Sequence, residues 1–248
     1  FRQVPVKEAP SGDFWGQEAA AYVETLEQDT RVHAEADLIV TETAKEEELG
    51  LVGPEMSLRD CNVEWGVGGW RPVPRHLIHQ AGKPRLIDDA KHSGHNAHSL
   101  LSETIVMPGA DLPVRIAQRF RRYVQQLWQH DPAWAKLVGG LEDLWKGYRQ
   151  NHTTKAHQPA TIISYRRPCG RRVYRRTFGL CFGFESVVVQ FNRMPVLVMA
   201  TARRLLWLMS GMYFDDECLL AIAALAAQAK IVLIRLNFLF GAVIGHAK

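Results

Sequence analysis

Gly211-Met212-Tyr213-Phe214-Asp215-Asp216-Glu217 sets two carboxylates side by side directly after two aromatic residues. An apolar run from Leu205 to Met209 precedes the stretch, and Cys218, Leu219 and Leu220 follow it. Aromatics on pleated faces with an acidic pair between them predict a strand–turn–strand unit. Adjacent aspartates repel unless water or a cation offsets their charge. Mg²⁺ is the natural candidate, being a hard cation that takes carboxylate oxygens together with substrate phosphates. The same residues also suit an acidic, solvated hairpin tip. What surrounds them decides between the two.

A chain of 248 residues, 47% hydrophobic, is long enough to bury a core in one or two domains. Its net charge of +4 and pI near 8.9 permit a polyanionic partner without demanding one. Cys61, Cys169, Cys181 and Cys218 are far apart and form no CxxC pair. Neither a zinc module nor a disulfide framework follows, so a reducing, intracellular compartment is expected. No secretory h-region stands at the start. The most apolar stretch, Leu219 to Ile244, is interrupted by Gln228, Lys230, Arg235 and Asn237, which predicts buried helix and strand and no membrane partner.

Working outward, residues 1–50 read as an N-terminal extension, a surface arm or docking helix, with a helix from Gly16 to Glu27 and an acidic run at Glu46–Glu48. Further on, Gln80-Ala81-Gly82-Lys83 lies between two short apolar segments and predicts a hairpin with a basic tip. Lys83 and Arg85 would project from one face of its second strand, where paired cations suit a triphosphate. His92, His95 and His98 recur every third residue, but a Gly/Ser/Asn-rich setting argues against a metal site. An amphipathic pattern predicts helix from Leu112 to Val138, broken at Asp131-Pro132 and ended by Gly139-Gly140. Asp143 supplies a third acidic candidate. Beyond it, Arg166, Arg167, Arg171, Arg172, Arg175 and Arg176 flank a Pro168-Cys169-Gly170 turn, a hairpin whose arginines and tyrosines suit a nucleic-acid strand or a solvated basic face. A Gly-punctuated turn, Gly179 to Ser186, leads into helical patterns on either side of Pro195.

Taken in order, the basic hairpin, lone aspartate, Phe-Gly turn with helix, and aromatic-Asp-Asp hairpin resemble the reverse transcriptases of retroelements, over about Trp70 to Asp216. Lys83-Pro84-Arg85-Leu86-Ile87-Asp88-Asp89 is similar to the fingers motif that holds the incoming triphosphate. Asp143 with Gly147-Tyr148-Arg149-Gln150 is similar to the first palm motif, whose aromatic excludes ribonucleotides. Leu180-Cys181-Phe182-Gly183 is similar to the motif beside nucleotide and template, although Cys181 stands where the family has proline. Tyr213-Phe214-Asp215-Asp216 is similar to the catalytic hairpin.

The resemblance implies an α+β fold: a polymerase palm, with an antiparallel sheet and helices on one face, over 141–248, preceded by a fingers-like region over 51–140. It implies RNA-directed DNA polymerisation, with Asp143, Asp215 and Asp216 catalytic and Asp143, Leu144, Asp215 and Asp216 holding Mg²⁺ or Mn²⁺. Lys83, Arg85, Tyr148, Phe182 and Gly183 would bind the deoxynucleotide, Gly183 by letting the base pair approach its backbone. The six arginines would hold an RNA or DNA template and its primer. No thumb is recognisable, so a second chain or a further segment would supply one. The rival reading is a degenerate, non-catalytic retroelement remnant that still binds nucleic acid.

Overall fold

The computed structural model describes every residue except 1, 7, 9–11, 107–110, 128–135 and 246–248. Its strands are β1 Arg2–Gln3, β2 Val52–Met56, β3 Pro72–Gln80, β4 Lys83–Asp88, β5 Glu103–Thr104, β6 Leu137–Asp143, β7 Ile162–Arg166, β8 Arg172–Thr177, β9 Met209–Tyr213 and β10 Asp216–Ile222. The helices are α1 Gln17–Gln28, α2 Ala36–Glu48, α3 Leu58–Trp65, α4 His95–His98, α5 Leu112–Leu127, α6 Gly147–Gln150, α7 Glu185–Arg204 and α8 Ala226–Leu239. The fold is α+β. Two compact units share the chain: a larger one from Gln3–Glu103 and Asn151–Val188, and a smaller one from Phe1–Arg2, Thr104–Gln150 and Val189–Lys248.

The larger unit holds a five-stranded mixed sheet in the order β2-β8-β7-β3-β4. Its two hairpins follow local turn chemistry. Ala81 and Gly82, between paired Gln80 and Lys83, both have positive φ (50° and 74°), the geometry that matches strand twist across a two-residue loop. β3 and β7 pair in parallel. Both faces of the sheet are covered, so β7 is buried from Ile162 to Tyr165. On one face Ile162 and Tyr174 pack with Val23 of α1, Cys61 of α3 and Trp70; on the other, Tyr165, Val173 and Leu77 pack with Ile39 of α2. A capping box starts α3: Ser57 Oγ accepts from Asp60 N–H, and the Asp60 carboxylate accepts from Ser57 N–H.

Of the two readings offered for this segment, helices α1 and α2 follow the docking one. Amphipathic α1 and α2 supply Ala19, Val23, Leu26 and Ile39 to the core, and the acidic run docks on the sheet. Arg75, fully buried, donates Nη1–H to Glu46 (2.8 Å) and Nε–H to Asp88 (2.7 Å). Glu47 accepts from Arg175 Nη1 (2.6 Å).

The smaller unit is built on a three-stranded antiparallel sheet in the order β6-β10-β9. Two of the predicted elements differ here. Leu137 and Val138 belong to a strand that runs through Gly139 and Gly140, where helix and a helix stop were expected; pairing with β10 overrides the local pattern. The expected break at Asp131-Pro132 lies outside the described residues. α7 continues through Pro195, whose missing N–H leaves the Phe191 carbonyl without its i→i−4 donor, instead of dividing there. The sheet also has helices on both faces. Asn237 of α8 meets Glu217 on one, and a Cβ on Gly211 would lie 3.2 Å from Leu112 of α5 on the other. Among the described residues, no helix is long and apolar enough to cross a membrane.

Candidate active site

The hairpin β9–β10 turns on two residues, Phe214 and Asp215, between paired Tyr213 and Asp216. Phe214 has φ 55°, a left-handed position usual for glycine at the first place of such a turn. Strained backbone of this kind persists where surrounding structure over-determines it. Here the fixing contact is visible: Leu144 N–H donates to the Asp215 carbonyl (3.1 Å), tying the turn to the end of β6.

Along β6 and β10 the register is antiparallel, with Asp143 directly opposite Asp216. Three carboxylates, Asp143, Asp215 and Asp216, thus share one end of one sheet. Burial first, and then the charges of Asp215 and Asp216, hold the Asp143 carboxyl above its usual range. Among the described residues, no group of three or more His, Cys, Asp or Glu side chains closes around a metal position.

Beyond Asp143 the chain bends at Lys146, also left-handed (φ 51°), into the single turn α6. Gly147 N–H donates to the Leu144 carbonyl (3.1 Å). A Cβ on Gly147 would lie 3.2 Å from the Phe191 ring and 3.5 Å from Asp215 Cβ, so this neighbour of Tyr148 must be small. Tyr148 itself is half-buried, its ring 4.7 Å from that of Phe191 at 52°. Burial and the Asp215 charge raise its phenol pKa. Val243–Gly245 runs past the same corner, Gly245 N–H donating to the Asp143 carbonyl (2.7 Å).

A second acidic pair, which the sequence reading passed over, lies on the reverse face. Glu217 is opposite Glu142 in register and fully buried. Its carboxylate accepts from Asn237 Nδ2 (2.8 Å), and burial pushes its pKa up to about 7 against that hydrogen bond. Lys230 forms an ion pair with Glu142. The signal was present in sequence: the neighbours Glu142-Asp143 and Asp216-Glu217 must point to opposite faces once both segments are strands.

The remaining predicted residues belong to the larger unit. Lys83 and Arg85 are exposed on β4, two residues apart on one face. Phe182 is exposed, and its carbonyl accepts from Asp88 N–H (3.3 Å). Gly183 has an internal reason to be glycine. At φ 116° its Cα faces the Asp88 carbonyl, and any Cβ there would fall well inside 3.0 Å of that oxygen. The close approach that demands glycine is internal.

The arginines of the β7–β8 hairpin have partners within the fold. Arg166 donates Nε–H to the Asp29 carbonyl (2.6 Å) and Nη2–H to that of Glu27 (2.7 Å), capping the C-terminal end of α1. Arg172 reaches the Asp29 carbonyl (3.4 Å). Glu55 gathers Arg167, Arg171 (3.3 Å) and Arg175 (3.3 Å). Burial raises the Glu55 pKa, but those guanidinium groups outweigh it and leave the carboxyl below its usual range. Arg176 pairs with Glu64 and lies over the Trp65 ring at 5.2 Å. Arg175 is 4% exposed. Five of the charges thus hold the hairpin to α1, α2, β2 and α3, and Arg171, the sixth, stays open to solvent.

The histidine series forms no cluster either. His95 is buried between Phe14 and Phe184, with ring centroids at 4.7 and 4.9 Å, and its Nδ1 lies 2.7 Å from Ser93 Oγ. Compared with known proteins, the chain matches no family model and no curated sequence.

Proposed function

We propose that the chain is a reverse-transcriptase-like nucleotidyltransferase in which β6, β9 and β10 serve as a polymerase palm. It would add deoxynucleotides to a primer 3′ end on an RNA or DNA template. One observation carries this reading: the register that sets Asp143 against Asp216 with Asp215 in the adjoining turn. Phosphoryl transfer needs hard oxygen donors brought from separate strands to one point.

The donor set suits Mg²⁺ or Mn²⁺. Three carboxylates share one sheet end, and their mutual repulsion shows at Asp143. Asp143, Asp215 and Asp216 would hold the ion, with the main chain at Leu144 beside them. When bound, it supplies positive charge to the attacking and leaving oxygens of the displacement. The chain's own residues do the rest. Left-handed Phe214 presents Asp215 at the turn. Tyr148, braced against Phe191, places bulk near Asp215 where a ribose 2′-hydroxyl is to be excluded. Lys83 and Arg85 offer cations for the triphosphate.

Primer extension on an RNA template, with Mg²⁺ or Mn²⁺, tests the reading. Asp215→Asn and Asp143→Asn should each lose at least about a hundredfold in rate. The double variant should be little worse than either, as for residues that act as a unit. Extension by Asp215→Asn at the wild-type rate would refute the assignment. No extension by the wild type would leave the non-catalytic relative.

A further inference from the structure

Between α7 and β9 the chain makes a turn that its own packing does not explain. Leu205 N–H donates to the Thr201 carbonyl (2.9 Å), Leu208 N–H to that of Ala202 (3.0 Å) and Arg203 Nε–H to that of Ser210 (2.6 Å). The backbone is held at three points. At its apex Trp207 adopts φ 58°, a left-handed conformation that disfavours a bulky side chain. Its indole is 86% exposed, so no burial offsets that strain, and Leu205 beside it is 72% exposed. Glycine would suit the backbone here, and a polar residue would suit the solvent.

Over the segment that carries this apex, the charges have one sign between Glu185 on one side and Asp215 on the other. From Ser186 to Phe214 the sequence carries Arg193, Arg203 and Arg204 and no Asp or Glu. At the foot of the turn a cleft of about 230 Å³ has apolar walls from Pro195, Val196, Met199 and Ala200, and is rimmed by Arg203 and Arg204. A flat aromatic platform beside guanidinium groups is the combination that single-stranded nucleic acid uses, bases stacking on the ring and phosphates meeting the cations.

We propose that the Leu205–Trp207 turn is a docking finger for single-stranded nucleic acid. Trp207 stacks on an unpaired base, and Arg204 meets the adjoining phosphate. The choice of partner rests on the nucleotidyltransferase reading, while the finger itself rests on exposure, backbone strain and charge. An anionic lipid surface offers phosphates to the same arginines but no base to stack on the indole, and it is tested as the rival.

The test is fluorescence anisotropy of a labelled RNA oligomer with the whole chain as wild type, Trp207→Ala, Trp207→Phe, Trp207→Gly and Arg204→Ala. Anionic phospholipid vesicles are co-sedimented and primer extension is assayed in parallel. Trp207→Ala and Trp207→Gly should weaken RNA binding about tenfold, and Trp207→Phe should keep most of it. Arg204→Ala should lower the salt slope by about one. Glycine relieves the left-handed strain, so Trp207→Gly should melt no lower than wild type, which separates lost affinity from lost folding. RNA affinity unchanged in Trp207→Ala and Trp207→Gly would overturn the proposal. So would an absence of RNA binding by the wild type, or vesicle binding that depends on Trp207 while RNA binding does not. Binding that depends on Trp207 without primer extension would support the finger and count against the polymerase reading. Extension with Trp207-independent binding would do the reverse.

Discussion

Gly183→Ala puts the internal role of the Phe182-Gly183 turn to a quantitative test. Two costs add. A φ of 116° is a region nearly confined to glycine, and an alanine held there costs about 1–3 kcal/mol. The new methyl would also overlap the Asp88 carbonyl oxygen. That carbonyl has little room to yield, because Asp88 is buried and its carboxylate is gripped by Arg75. Forcing a methyl into a packed site costs about 1–3 kcal/mol more. The sum, about 2–6 kcal/mol, is a large part of a typical domain's 5–15 kcal/mol. At about 2–4 °C per kcal/mol it corresponds to a fall in melting temperature of roughly 4–24 °C. Gly170→Ala is the matched control: its φ is 83° and nothing lies within 4 Å of the added Cβ, so strain alone applies. That variant should lose about 1 kcal/mol, or roughly 2–4 °C. Calorimetric melting of both variants would decide, and a Gly183→Ala curve lying on that of Gly170→Ala would refute the clash.

Acid sensitivity should centre on His95, whose pKa is pushed down to about 3, mainly by burial and next by the Arg71 charge. The unfolded chain binds the proton near pH 6.5 and the folded one does not. This contribution to stability is therefore complete above about pH 6.5 and is lost as pH falls from there toward 3. His95→Gln should flatten denaturant-derived stability over that window by up to about 1.4 kcal/mol per pH unit, and a slope parallel to wild type would sink the idea. Arg175→Ala should destabilise the fold by roughly 1–3 kcal/mol, since it takes a buried donor from the Tyr165 hydroxyl and the Gly53 carbonyl, while hardly changing RNA affinity. An anisotropy titration showing a large affinity loss with an unshifted melt would restore the arginine hairpin to a nucleic-acid role.

What could be read in advance was whatever neighbouring residues decide. The Ala81-Gly82 and Pro168-Cys169-Gly170 turns join strands that pair with their immediate successors and were legible; the third hairpin was too, but one residue out, since Phe214 and not Asp216 stands in its turn. So was the α+β class. β6 was not: Gly139 and Gly140 look like a helix stop, and the strand exists because β10, far along the chain, pairs with it. The internal partners of the arginine hairpin were hidden for the same reason. Its acids and carbonyls at Glu27, Asp29, Glu47, Glu55 and Glu64 lie more than a hundred residues away. In the candidate site, three aspartates could be named from sequence, whereas the reverse-face pair of Glu142 and Glu217 needed the register.

The order in which strands are laid down has a consequence for how the protein comes to exist. β3 waits for its parallel partner β7 while the entire segment from Thr104 to Gln150, which belongs to the other unit, is synthesised. During translation neither core can close before part of the other has emerged, and unpaired sheet edges stand open meanwhile. Loop closure over such a span costs little more than over a short one, so the burden falls on rate, not on final stability. Slow, chaperone-dependent maturation is the expected behaviour. Leaving Phe1–Arg2 aside, excising either unit takes three cuts and a splice, and a truncation upstream of Val189 removes part of both.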